Sequence, residues 1–114
     1  MDKIALKVND VRTFNHFVLS IMEYTSISNL SKLEFETLSY WYEKEMKKMS
    51  KEGEVKFKLP STVARVLHKA LPLLKFRNRE HLHQDIHLVN LLSEWYNKLD
   101  EQLDIFTQKH YHNE

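Results

Sequence analysis

Hydrophobic and polar positions along the chain fall into two short alternating runs and four longer stretches of helical periodicity. Residues 3 to 8 read Lys-Ile-Ala-Leu-Lys-Val, which puts Ile4, Leu6 and Val8 on one side of an extended strand. The alternation returns at residues 54 to 59, with Val55, Phe57 and Leu59 on one side, Lys56 and Lys58 on the other, and Pro60 as the stop.

After the first strand, Asn9 or Asp10 can cap a helix whose apolar face is Val11, Phe14, Val18, Ile21 and Met22. Phe17 widens that face, and His16 lies opposite its centre. The polar stretch Thr25 to Asn29 reads as a connection. A second helix is expected from about Leu30 to Ser50, with Phe35, Leu38, Tyr42, Met46 and Met49 inward and Trp41 at the edge. Gly53 suits a positive φ just beyond it.

Ser61 or Thr62 can cap a third helix, with Val63, Val66, Leu67, Ala70 and Leu74 inward. Pro72 should kink or end it, because proline lacks the N–H and disfavours helical geometry at Leu71. The fourth and longest helix is expected over residues 79 to 106. Its main face is Leu82, Ile86, Val89, Leu92, Tyr96, Leu99 and Leu103, flanked by Leu88, Leu91 and Trp95. Residues 108–114 show no pattern and read as a disordered tail.

One heptapeptide occurs twice. Leu38-Ser39-Tyr40-Trp41-Tyr42-Glu43-Lys44 returns as Leu92-Ser93-Glu94-Trp95-Tyr96-Asn97-Lys98, and these stretches hold both tryptophans of the chain. The element order, strand-helix-helix twice over, extends the match to most of the sequence. The expected fold is therefore α+β and mostly helical: one domain, residues 1–107, made of repeats 1–52 and 53–107. Its two strands should pair as an antiparallel ribbon about a pseudo-twofold axis, packed on four helices. The outer face of that ribbon would carry Lys3, Lys7, Lys56 and Lys58.

Composition narrows the function classes. With 114 residues, 42% hydrophobic and 29% charged, the chain can bury a core and is not a disordered tail. It has no cysteine, which excludes disulfides and thiolate chemistry and suits a reducing, cytoplasmic setting. No apolar run is long enough to span a bilayer, and residues 1 to 8 lack the apolar core of a secretory signal, so no membrane role is expected. The net charge of +1 conceals an asymmetry. Residues 55 to 79 hold Lys56, Lys58, Arg65, Lys69, Lys75, Arg77 and Arg79 and no acid, which can create an anion-attracting face.

The stretch Lys56-Phe57-Lys58-Leu59-Pro60-Ser61-Thr62-Val63-Ala64-Arg65-Val66-Leu67 resembles the ribbon-helix-helix family of DNA-binding proteins. The resemblance implies an antiparallel ribbon entering the major groove, with phosphates held at the second helix of each unit. It would place Lys3, Ala5, Lys7, Lys56 and Lys58 toward the bases. The region near Asn29 and Arg77-Asn78-Arg79 would be the phosphate anchors. The alternative for the same lysines is that they keep an exposed two-stranded sheet from aggregating.

The leading expectation is a non-enzymatic interaction module or homodimer using the flank Leu88, Leu91 and Trp95, aided by Leu33 and Tyr40 on the second helix. His81, His83, Asp85 and His87 have spacings open to zinc, His83 and His87 being one turn apart. They lack the glutamate of a hydrolytic motif and a fourth ligand, so no metal or other cofactor is expected. Without a glycine-rich phosphate loop or a Ser-His-acid set, neither catalysis nor a small-molecule substrate is expected.

Overall fold

The structure, a computed structural model, describes residues 3–24, 28–49, 52–77 and 86–111. Strand β1 (Lys3–Val8) leads into α1 (Val11–Glu23), α2 (Lys32–Lys44) and a single 3-10 turn, Met46–Lys48. Strand β2 (Val55–Pro60), α3 (Ser61–Arg77) and α4 (Ile86–Tyr111) complete the order. The protein is α+β and mostly helical, with one two-stranded sheet.

The strands pair antiparallel, Lys3 opposite Pro60 and Val8 opposite Val55, with Leu6 facing Phe57 at the centre. Alternation decides which face is covered. Ile4, Leu6, Val8, Phe57 and Leu59 are buried, whereas Lys3, Lys7, Lys56 and Lys58 are exposed. Beneath the ribbon lies an aromatic cluster. Trp95 meets Phe14 edge-on with ring centroids 5.0 Å apart and Phe17 at 5.9 Å. Phe57 meets Phe14 at 5.3 Å and Trp41 at 5.9 Å. Such pairs contribute about 0.5–1.5 kcal/mol each beyond the area they bury.

Local chemistry sets the helix starts. Asp10 caps α1, its Oδ1 accepting the Thr13 N–H at 3.0 Å and its Oδ2 the Thr13 hydroxyl at 2.7 Å. These bonds hold its carboxyl below the ordinary carboxylate value. The α1 N-terminus is also tied across the fold, because the Val11 N–H donates to the carbonyl of Gly53, whose φ is +84°. At α2, Ser31 and Glu34 form a reciprocal capping box, with Ser31 N–H to Glu34 Oε1 at 2.9 Å and Glu34 N–H to Ser31 Oγ at 3.1 Å. Lys69 of α3 then pairs with Glu34 at 2.8 Å and holds that carboxyl below its usual range, the Ser31 N–H acting in the same direction.

Four sequence expectations are corrected. First, α2 ends at Lys44, the Glu45 N–H closing on the Trp41 carbonyl at 2.9 Å, and Met46 turns into the core separately. Second, α3 does not end at Pro72 but runs on to Arg77. The ring removes the N–H that would reach the His68 carbonyl, but Leu71 and Leu74 are fully buried on either side and hold the helical path.

Third, α4 continues to Tyr111, so residues 108–111 are helical; the Gln108 side-chain amide donates to Asp104 one turn back at 3.3 Å. The expected stretch of this helix over residues 79–85, including Leu82, lies outside the described residues.

The fourth correction concerns the repeated aromatics. Trp41 and Trp95 are the core residues, 4% and 0% exposed, while Tyr42 and Tyr96 are half-buried and Phe35 is exposed. Both helices are rotated by about one residue from the expected face, because the indole buries the larger apolar area. The stripe on α4 is Leu88, Leu92, Trp95, Leu99, Leu103 and Phe106, with Leu91 also covered. The Trp95 indole N–H has no hydrogen-bond partner among the described residues.

Candidate nucleic-acid interface

The outward face of the ribbon is built from alternate residues of two short strands. In register, Lys7 stands directly opposite Lys56 and Ala5 opposite Lys58, while Lys3 faces Pro60. Like charges placed directly opposite in a sheet disfavour pairing by about 0.2–1 kcal/mol. The charge of Lys7 is partly answered by Glu54, 3.6 Å away with both side chains 57% exposed. Among the described residues, Lys3, Lys56 and Lys58 have no ion pair. A further cation borders the strand, since the Lys98 ammonium donates to the Lys7 carbonyl at 3.1 Å and pairs with Glu94 at 3.3 Å.

The basic stretch of residues 55–79 separates into different parts of the molecule. Lys56 and Lys58 lie on the ribbon. Lys69 is bound to Glu34, and the Arg65 guanidinium sits 5.9 Å over the Phe106 ring, so both serve helix packing. The side chain of Arg77, and all of Arg79, fall outside the described residues. Near Asn29, whose φ is +55°, the N-terminus of α2 is already occupied by the Glu34 carboxylate. A phosphate there would share the helix terminus with that carboxylate.

The expected apolar interaction flank is not available. Leu91 and Trp95 are buried and Leu88 is partly buried against the core, so this flank of α4 is spent inside the fold. The exposed apolar residues of the second helix are Leu33, Phe35 and Tyr40, of which Leu33 and Tyr40 lie two turns apart on one face. For zinc, His87 is exposed, but His81, His83 and Asp85 lie outside the described residues. Among the described residues no group of three His, Asp or Glu side chains could hold a metal, and no helix is long and apolar enough to cross a membrane.

Each end of the ribbon opens onto a hollow. At the Lys3 end, a groove of about 680 Å³ lies between the strands, α2 and the start of α3, with Lys3, Lys44, Lys58 and Tyr40 around it and Trp41 beneath. At the Val8 end, a hollow of about 820 Å³ is lined by Asn9, Asp10, His87, Asn90 and Glu94. One is basic and aromatic, the other polar and acidic. Sequence patterning did not show a cleft at either end. Its one visible trace was Tyr40, a position where the two heptapeptides differ, its counterpart being Glu94.

Compared with protein-family models, with curated protein sequences and with solved structures, the chain gives no match.

Proposed function

We propose that the chain is a non-enzymatic nucleic-acid-binding protein that docks duplex DNA against the lysine face of its ribbon. The observation that carries this reading is the juxtaposition of Lys7 and Lys56 across the strands, with Lys3 and Lys58 on the same face. Solubility needs charge on an exposed sheet, but it does not need like charges face to face. Lysines on a two-stranded ribbon supply phosphate neutralisation and donors to base edges.

Two tandem copies of one strand-helix-helix unit, residues 1–52 and 53–107, and a cytoplasmic setting belong to the same proposal. The strand register supports the repeat: shifting Ile4 to Val55 carries the pair Ile4–Leu59 onto Val55–Val8 and leaves Leu6–Phe57 in place. Leu38 and Leu92, and likewise Trp41 and Trp95, are buried at matching heptapeptide positions.

The test is duplex binding across a salt series. Four neutralised phosphates give a slope of log affinity against log salt of about −3.6. Retention that does not weaken as salt rises removes the reading.

A second reading, association with a protein partner or another copy of the chain, shifts from α4 to α2. Leu33 and Tyr40 support it, being 72% and 68% exposed on one helical face. Sedimentation should then give a mass that rises with concentration, and Leu33→Glu should return it to the monomer value. A constant monomer mass sets this reading aside.

A further inference from the structure

The lysine face does not stop at the strands. At one end it continues over the rim into the groove, so that Lys3 and Lys58 belong to both surfaces. Their backbone positions are diagonal neighbours on the ribbon, about 7–8 Å apart, a span that a phosphate can bridge. Across the groove on α2, the Lys44 ammonium lies 5.6 Å over the ring of the exposed Tyr40. Glu36 and Glu45 complete the rim as hydrogen-bond acceptors. A volume of 680 Å³ falls within the range of about 300–1,000 Å³ that holds small organic ligands.

The opposite end supplies the contrast. Glu94 stands where the other heptapeptide has Tyr40, and its neighbour one turn on, Lys98, is bound to it at 3.3 Å. With Asp10 nearby, that hollow repels an anion. A flat aromatic face beside several lysines is thus found at one end of the ribbon and replaced by carboxylates at the other.

We propose that the Lys3-end groove takes one unpaired nucleotide, its base stacked on Tyr40 and its phosphate between Lys3 and Lys58. The protein would then bind where a duplex ends or opens, and in one orientation. This rests on the nucleic-acid reading and adds a specificity to it. Stacking on an aromatic side chain tolerates any base. The Glu36 and Glu45 carboxylates accept hydrogen bonds from exocyclic amino groups, which favours cytosine or adenine over thymine.

The experiment measures fluorescence anisotropy of a blunt duplex, the same duplex with a short cytosine overhang at either strand end, and that overhang made abasic. One of the two cytosine overhangs should tighten binding about tenfold over both the blunt and the abasic forms. Tyr40→Ala should erase that gain and leave blunt-duplex affinity unchanged, while Tyr40→Phe should keep it. Circular dichroism establishes that each variant is folded. Lys56→Glu, outside the groove, should weaken every duplex alike.

An abasic overhang as effective as cytosine, or a Tyr40→Ala variant that retains the gain, overturns the groove while the ribbon reading stands. A polyglutamate peptide that competes as well as single-stranded DNA overturns it too, by marking the lysines as a general anion patch. If no form of DNA binds, the ribbon reading falls and the groove with it.

Discussion

Replacing Trp95 by alanine should cost about 3–5 kcal/mol of stability, read as a lower midpoint in urea unfolding followed by far-UV circular dichroism. The indole is completely buried beneath the ribbon and meets both Phe14 and Phe17 edge-on, so truncation removes two ring contacts and leaves a cavity that rigid neighbours cannot fill. For a domain of this size the loss is a large share of total stability, so the variant should still fold in water but unfold at a much lower urea concentration. Tyr96→Ala is the control. That ring is half-buried and stacks on His68 at 4.6 Å, so its removal should cost about 1 kcal/mol. Similar losses for the two variants would show that the indole is not the keystone of the core.

Charge reversal on the ribbon should have the opposite profile. Lys56→Glu with Lys58→Glu removes two cations and adds two anions on an exposed face. At about 0.7 kcal/mol for each of the four changes, duplex affinity should drop by about 3 kcal/mol, near 100-fold at moderate salt. Stability should hold or rise, because Glu at position 56 would face Lys7 directly and turn a repulsive cross-strand pair into an attractive one of about 0.5 kcal/mol. The two readouts together separate the roles open to these lysines. A variant that is equally stable and soluble, yet no longer binds, identifies them as a binding surface. One that aggregates and binds as before identifies them as guards of the sheet edges.

Much of the fold was legible because its signals were local. Alternation located both strands and their inner faces, and the pair Asn9-Asp10 marked the start of α1. The helix rotations were not legible. Periodicity in α2 and α4 fits two adjacent faces almost equally well, and the choice between Trp41 and Tyr42, or Trp95 and Tyr96, is made by the cluster they enter, which joins residues far apart in sequence. Pro72 does not end α3 for a related reason, since the burial of Leu71 and Leu74 outweighs a local preference. The Ser31–Glu34 capping box was visible in the spacing and would have placed the start of α2 correctly. It would also have shown that a carboxylate already sits at this helix terminus. Of the candidate interface, the lysine face followed from alternation, but the groove depends on how α2 approaches the ribbon's end, which no single stretch of sequence encodes.

The pairing of β1 with β2 also bears on how the chain acquires its shape. Lys3 meets Pro60 and Val8 meets Val55 across more than forty intervening residues, and no closer strand is present among the described residues. Closing a loop of that length costs about 3.5 kcal/mol of chain entropy beyond a constant term. The ribbon is therefore a costly place for folding to begin. It should form late, once α1 and α3 have brought the strands' apolar sides together, and more slowly than helices of local contact. A chain still emerging from the ribosome would hold β1 as an unpaired edge until β2 had been made. The lysine surface comes into being only when that last contact closes, and neither half of the sequence alone can display it.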